Sequence, residues 1–272
     1  MRKTQILFGI IALSAFACQR QDKLSEINDR LDRIEKGIEE LKKRPAGPAM
    51  AAAQPPRRPD PNTVYNVPVG DTDVAKGPKF AKVTIVEGFD FACPYCAQSR
   101  PLVEEVYAKH KDEVKLVAKQ FVVHPQVATL PALAVCAANK QGKGPDLADE
   151  IWARAWKEDN GRPHFDATQL NQDSIEKTAA DKKLDVAKLK ADMQAKDCQD
   201  NLATQQRELA AIGVNGTPAF FINGKPYSGP RTVDGFNAAV EEEIKKADAA
   251  LKGGTKLEDY YASLMKNAAK SL

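Results

Sequence analysis

Val86-Glu87-Gly88-Phe89-Asp90-Phe91-Ala92-Cys93-Pro94-Tyr95-Cys96 decides how this 272-residue chain is read. Upstream, Lys82 to Glu87 is apolar enough, with Val83, Ile85 and Val86, to predict a buried strand. Downstream, Cys93 to His110 predicts a helix and Val114 to Val123 a second strand, which together make a βαβ unit. The two cysteines therefore stand where a strand hands over to a helix. There the unpaired N–H groups and the positive end of the helix dipole favour a thiolate. Pro94 suits the first helical turn, where its missing N–H costs nothing. Cys93 is expected to be exposed and nucleophilic. Cys96, one turn further in, is expected to be shielded and to resolve a mixed disulfide.

Other readings of two closely spaced cysteines are a metal site and a structural disulfide. A zinc site wants a second cysteine pair or histidines at ligand spacing, and His110, His124 and His164 are scattered. A soft Cu(I) site on the same two thiolates stays open on chemical grounds. The strand-to-helix setting favours redox chemistry.

Further along, residues 126 to about 211 are rich in Ala, Lys and Asp, with helical spacing and little strand signal. Ala219 to Ile222 predicts a short strand, and Asn223-Gly224 a hairpin turn into Lys225–Tyr227. Val233 to Leu251 predicts an amphipathic helix ended by Gly253-Gly254. A helical tail, Leu257 to Ala269, carries Leu257, Tyr260, Tyr261 and Leu264 as a face to dock on the domain. Trp152 and Trp156, four apart, read as core residues of one helix. Cys136 and Cys198 both fall in the helical stretch. In an exported chain such a pair more often forms a bridge than stays as two buried thiols. No internal repeat is evident.

Toward the N-terminus the chain changes character twice. Pro45 to Pro61 holds six prolines among Ala and Arg, a semi-extended linker spanning ~50 Å at about 3.1 Å per residue. Before it, Leu24, Ile27, Leu31, Ile34, Ile38 and Leu41 alternate three and four apart, the heptad pattern of a coiled coil. So narrow an apolar seam is marginal alone in water, which favours self-association through residues 22–43 over folding back on the domain. Leu mostly at one seam position and Ile at the other points to more than two strands. Arg2, Lys3 and the apolar run Ile6 to Phe16 read as an export signal, with Ala15-Phe16-Ala17 as a cleavage site. Cys18 then has two readings. It is either the lipidated first residue of a lipoprotein or an incidental cysteine left by ordinary cleavage, since Ala15 and Phe16 depart from the usual lipid-attachment motif.

These boundaries give a signal peptide over 1–17, a coiled-coil stalk over 18–44 and a linker over 45–62. A catalytic domain follows over 63–252, with a helical tail over 253–272. A formal charge of +3 argues against a nucleic-acid partner, which would demand a strong basic face.

The stretch Val86 to Cys96 resembles the active-site strand and helix of the bacterial DsbA-like oxidoreductases. A second match, Gly213-Val214-Asn215-Gly216-Thr217-Pro218-Ala219-Phe220-Phe221-Ile222-Asn223-Gly224, resembles the segment that carries that family's cis-proline. The resemblance covers roughly residues 64–250 and not the stalk. It implies an α/β, thioredoxin-like fold with a helical insertion, here preceded by an N-terminal coiled-coil stalk. It also implies a cis Thr217–Pro218 bond beside Cys93, with Thr217, Pro218, Pro94 and Tyr95 meeting the substrate. Glu87 matches the position of a buried acid that relays a proton to the resolving thiol, the alternative being a solvated strand-end Glu. Pro101 matches a helix-kinking proline. No cofactor and no metal is implied. Tyr95 and Thr217 resemble the isomerase-like and reductase-like branches, and the stalk resembles oligomeric periplasmic isomerases and the trimeric suppressor-of-copper-sensitivity proteins. The implied partners are exported cysteine-containing clients and a membrane redox partner that sets the state of Cys93 and Cys96. Dithiol oxidation, or copper binding without turnover, is the alternative.

Overall fold

The computed structural model describes residues 27–40, 58–159 and 162–272. The signal, Cys18, Leu24, Leu41 and the linker up to residue 57 lie outside the described residues. The described residues fall in two units. The first is a helix over 27–40, α1, on which Ile27, Leu31, Ile34 and Ile38 are each about half exposed.

The second unit is built on a five-stranded sheet. Its strands are β1 (Val74–Lys76), β2 (Val83–Phe89), β3 (Val114–Gln120), β6 (Ala219–Ile222) and β7 (Lys225–Pro226), in the order β1-β3-β2-β6-β7. β2 and β3 run parallel across the helix α2 (Pro94–Lys109), so the βαβ unit expected from sequence is present. The other pairings in this sheet are antiparallel. Asn223 and Gly224 take positive φ values of 48° and 81°, which the tight turn between β6 and β7 requires. The Asn223 side chain then ties the hairpin back to β2, accepting from the Thr84 N–H at 2.8 Å and donating to the Lys82 carbonyl at 3.1 Å.

Both faces of β2 are covered, which is why its sequence reads as a nearly unbroken apolar run. On one face Val83 and Ile85 pack with Val103 and Val106 of α2 and with Phe236 and Val240 of α8 (Val233–Lys252). On the other, Val86 packs with Val117, Leu209, Ile212 and Phe221. Thr232 caps α8 by accepting from the Gly235 N–H at 3.1 Å.

Between β3 and β6 the chain makes α3 (Pro125–Asn139), α4 (Gly144–Ala155), α5 (Gln172–Asp181), α6 (Val186–Gln194) and α7 (Lys196–Ala211). A disulfide joins Cys136 of α3 to Cys198 of α7. The insertion also holds an antiparallel hairpin, β4 (Trp156–Asp159) and β5 (Arg162–Phe165), where the sequence predicts helix. Trp156 is correspondingly not a core residue of a helix. It opens β4 half-buried and packs tilted against Phe165 with ring centroids 4.7 Å apart. The tail forms α9 (Leu257–Lys266). Tyr260 is buried in it and Tyr261 donates to the Val67 carbonyl at 2.7 Å, while Leu257, expected on the docking face, stays exposed. Among the described residues no helix is long and apolar enough to cross a membrane.

Candidate active site

β2 ends at Phe89 and α2 begins at Pro94, so Asp90 to Cys93 form the joint between them. Cys93 is the residue just before the helix, with extended backbone (φ −82°, ψ 118°). That conformation turns its side chain back over the helix start. The bond Thr217–Pro218 is cis, and the Thr217 carbonyl lies 3.4 Å from Cys93 Sγ. The structure therefore brings together residues 124 positions apart, at the end of β2 and just before β6. Cys93 and Cys96 are both free thiols.

Cys93 is not exposed as the sequence predicts: it is 3% exposed, and Cys96 is fully buried. The cover is tertiary, because the Thr217 carbonyl overhangs the sulfur. Tyr95, by contrast, points outward at 61% exposure.

The two thiols are driven in opposite directions. Cys93 is lowered to about 5, first by the hydrogen bond from the Cys96 thiol, which outweighs the effect of burial. Thr217 and the backbone N–H groups of Cys96 and Tyr95 add to the lowering. The Thr217 hydroxyl is buried and, among the described residues, has no other partner. Cys96 is pushed well above the ordinary thiol range, by burial first and then by its bond to Cys93 and the charge of Glu87. At neutral pH the outer sulfur is a thiolate and the inner one a thiol, the division of labour that nucleophile and resolving group need.

Glu87 projects from the same face of β2 as Val83 and Ile85, toward α2. Burial raises its carboxyl to about 7. Arg100 pulls against that rise, while Glu104 and Cys93 reinforce it. It lines a cavity of about 40 Å³ together with Phe89, Arg100, Glu104, Asp149 and Trp152. At the edge of that cavity Lys76 pairs with Glu104 at 2.7 Å and with Asp149 at 2.9 Å, and Arg100 pairs with both acids. The strand-end Glu is thus half-buried beside charge, rather than solvated.

Three neighbours of the site escaped the sequence reading. Asp90 is fully buried, and Trp156 donates its indole N–H to the Phe91 carbonyl at 2.8 Å. Arg231 donates to the Pro218 carbonyl at 3.3 Å. A signal existed for Asp90, an acid between Phe89 and Phe91 in an apolar run. None existed for Arg231. Among the described residues no three His, Cys, Asp or Glu side chains converge as metal ligands.

Comparison with known proteins places this geometry. The sequence model of the Thioredoxin family matches residues 70–242. The chain belongs to the thioredoxin family. Among curated relatives, the Na(+)/H(+) antiporter NhaA 3 of Salinispora tropica is 32% identical over 197 residues, covering 69% of this chain and 27% of the antiporter. The chain spans about a quarter of the length of the curated relatives it matches. Among solved structures, the catalytic domain of Proteus mirabilis ScsC is similar at a TM-score of 0.52 with 21% identity, over 65% of this chain and 91% of that one. Wolbachia pipientis alpha-DsbA1 is similar at a TM-score of 0.55 with 16% identity, over 68% of this chain and 96% of that one. The fold is therefore thioredoxin-like with a helical insertion, as the resemblance implied.

Proposed function

We propose that the chain is an exported thiol–disulfide oxidoreductase acting on cysteine-containing clients, as an isomerase or reductase. The observation that carries this reading is the split between the two thiols: Cys93 lowered to about 5 under the Thr217 carbonyl, Cys96 raised behind it. The Cys93 thiolate attacks one sulfur of a client disulfide. The client S–S bond breaks, a Cys93–client disulfide forms, and the other client sulfur leaves as a thiolate. Isomerisation follows when a client thiolate attacks the mixed disulfide and regenerates Cys93. Reduction follows when Cys96 gives its proton to Glu87 and attacks Cys93. The Cys93–Cys96 disulfide then holds two electrons fewer and the client two more. Glu87, with its carboxyl raised to about 7, suits a group that takes and returns a proton near neutrality. Thr217, Pro218, Pro94 and Tyr95 frame the approach, where an extended client segment would pair with the Thr217 backbone.

A stabilised thiolate makes the Cys93–Cys96 disulfide easily reduced, so in this reading a membrane redox partner supplies the electrons that hold Cys93 in the dithiol state isomerisation needs. Several domains joined through residues 22–43 would present a held client to a second active site at millimolar effective concentration. The half-exposed seam of Ile27, Leu31, Ile34 and Ile38 supports that assembly of several copies. The basic and apolar start of the sequence supports export to the periplasm, with Cys18 as a site for a lipid anchor.

Redox titration against glutathione, with refolding of a scrambled substrate, tests the direction. Rescue of scrambled protein is the expected result, whereas net oxidation of reduced clients would make the enzyme an oxidase. Cys96→Ser should trap mixed disulfides with clients. Stoichiometric Cu(I) binding with nothing trapped would replace the enzyme by a binding module. Isomerase activity that survives deletion of residues 22–44 would overturn the role given to the stalk.

A further inference from the structure

The Asp90 carboxylate takes no part in the sulfur chemistry above, yet it is fully buried three residues before Cys93. Burying a carboxylate is costly unless several donors meet it. Here three backbone N–H groups do. Oδ1 accepts from Ala92 at 2.7 Å, closing a local turn. Oδ2 reaches across the chain, accepting from Val123 at 2.7 Å and His124 at 2.8 Å, with His124 Nδ1 a further 3.3 Å contact. His124 immediately precedes α3, so the carboxylate also meets the positive end of the first helix of the insertion.

The same short segment is held at a second point. Trp156, directly after α4 of the insertion, donates Nε1–H to the Phe91 carbonyl at 2.8 Å. Within the segment the Cys93 N–H donates to the Asp90 carbonyl at 3.1 Å. Every residue from Asp90 to Ala92 is thereby fixed by a hydrogen bond to its backbone or side chain. The backbone so fixed is the one that sets Cys93 on the helix start, where the N–H groups of Tyr95 and Cys96 lower its thiol. An apolar residue would fill the space at position 90 without the desolvation cost. An asparagine would keep the turn to Ala92 but could not accept from Val123 and His124 through the same atom.

We propose that Asp90 and Trp156 are positioning residues for the Cys93 nucleophile, bolting Asp90–Ala92 to two points of the helical insertion, the start of α3 and the end of α4. This rests on the reading of Cys93 as the nucleophile. Asp90 does not act by its charge, because a nearby negative charge makes a thiol less acidic. Removing that charge alone would therefore speed thiolate formation. Removing a positioning group slows it, and the two effects differ in sign.

The test is iodoacetamide alkylation of the reduced full-length chain from pH 4 to 9, with thermal melts to show that each variant is folded. In the unaltered chain the rate should reach half its plateau near the Cys93 value of about 5. Asp90→Asn should alkylate about fivefold more slowly at pH 5, the consequence of a tenfold weaker acid. Trp156→Phe, which keeps the ring and loses only the N–H, should slow about twofold in the same direction. Folded Asp90→Asn alkylating at the same rate or faster would overturn the proposal. Should Asp90→Asn fail to fold, Trp156→Phe decides alone: slowing upholds the proposal and an unchanged rate overturns it. If the unaltered chain itself titrates like free cysteine, it is the nucleophile reading that falls, and with it the premise of this one.

Discussion

Two cysteine pairs sit in this chain, and both include a residue at the start of a helix. Cys93 directly precedes α2, and Cys198 is the third residue of α7. Yet Cys93 and Cys96 are free thiols, whereas Cys198 is joined to Cys136 of α3 across 62 residues of sequence. The helix start is therefore not what separates them. Cys198 looks into the apolar core of the insertion and meets its partner from another helix. Cys93 lies under the Thr217 carbonyl, with a thiol and two backbone N–H groups turned toward it. The thiol and the N–H groups turned toward Cys93 make it acidic, whereas Cys198 meets a cysteine of a facing helix and is bonded to it.

The largest effect should come from collapsing the first pair. Cys93→Ser is expected to bring client disulfide exchange down to the uncatalysed background, measured with a scrambled substrate. Removing the second pair should instead act on stability. In the chain-entropy account a bridge that closes a loop of 62 residues contributes about 4 kcal/mol. Cys136→Ala with Cys198→Ala should lose stability of that order in urea unfolding, while iodoacetamide still alkylates Cys93 at the unaltered rate. Loss of alkylation in that double variant would erase the contrast between a structural and a chemical pair.

How much of this was legible in the sequence follows the range of the interactions involved. The joint at Cys93 was legible because strand, proline and helix lie within a few residues of each other. The asparagine–glycine hairpin was legible for the same reason, since its positive φ values are local demands. β1 was not, because Val74–Lys76 is too short to show a period, and β5 was not, because Arg162–Phe165 is polar and contains Pro163. The burial of Cys93 was invisible, being made by a residue 124 positions away. The placing of Thr217–Pro218 came from family resemblance alone. Asp90 left a trace, an acid between two phenylalanines, but its partners at Val123 and His124 exist only in the fold.

Glu87 sharpens the comparison, because the structural pair has no acid of this kind to serve it. Its carboxyl is raised from 4.5 to about 7, so between those values the folded chain binds a proton that the unfolded chain has lost. Stability therefore falls as pH climbs from 4.5 to 7, and the cost, about 3 kcal/mol, is in full force above 7. Glu87→Gln should flatten that decline and be more stable than the unaltered chain at pH 8, by urea unfolding of the oxidised protein. Release of product from the mixed disulfide should slow by about tenfold in the same variant, read in single-turnover kinetics at pH 7. A variant equally stable at pH 5 and pH 8 but unchanged in single turnover would leave Glu87 a burden on the fold with no chemical return.

The smallest effect should come from the contact through which the structural pair reaches the sheet. Gln205 lies seven residues after Cys198, two helical turns along α7 and therefore on the same side of it. Its Oε1 accepts from the Gln120 N–H at 2.7 Å, and its Nε2 donates to Asp73 at 3.0 Å. Gln120 is the last residue of β3 and is paired in register with Phe89, the last residue of β2. If the two cysteine pairs are mechanically independent, Gln205→Leu should cost only the unpaired Gln120 N–H, about 2 kcal/mol in urea unfolding. Asp73 would keep Lys119, 3.1 Å away, as its partner. The alkylation profile of Cys93 against pH should be superimposable on that of the unaltered chain. A profile displaced upward would mean that the bridge between α3 and α7 reaches Cys93 through β3, and that the two pairs form one mechanical unit.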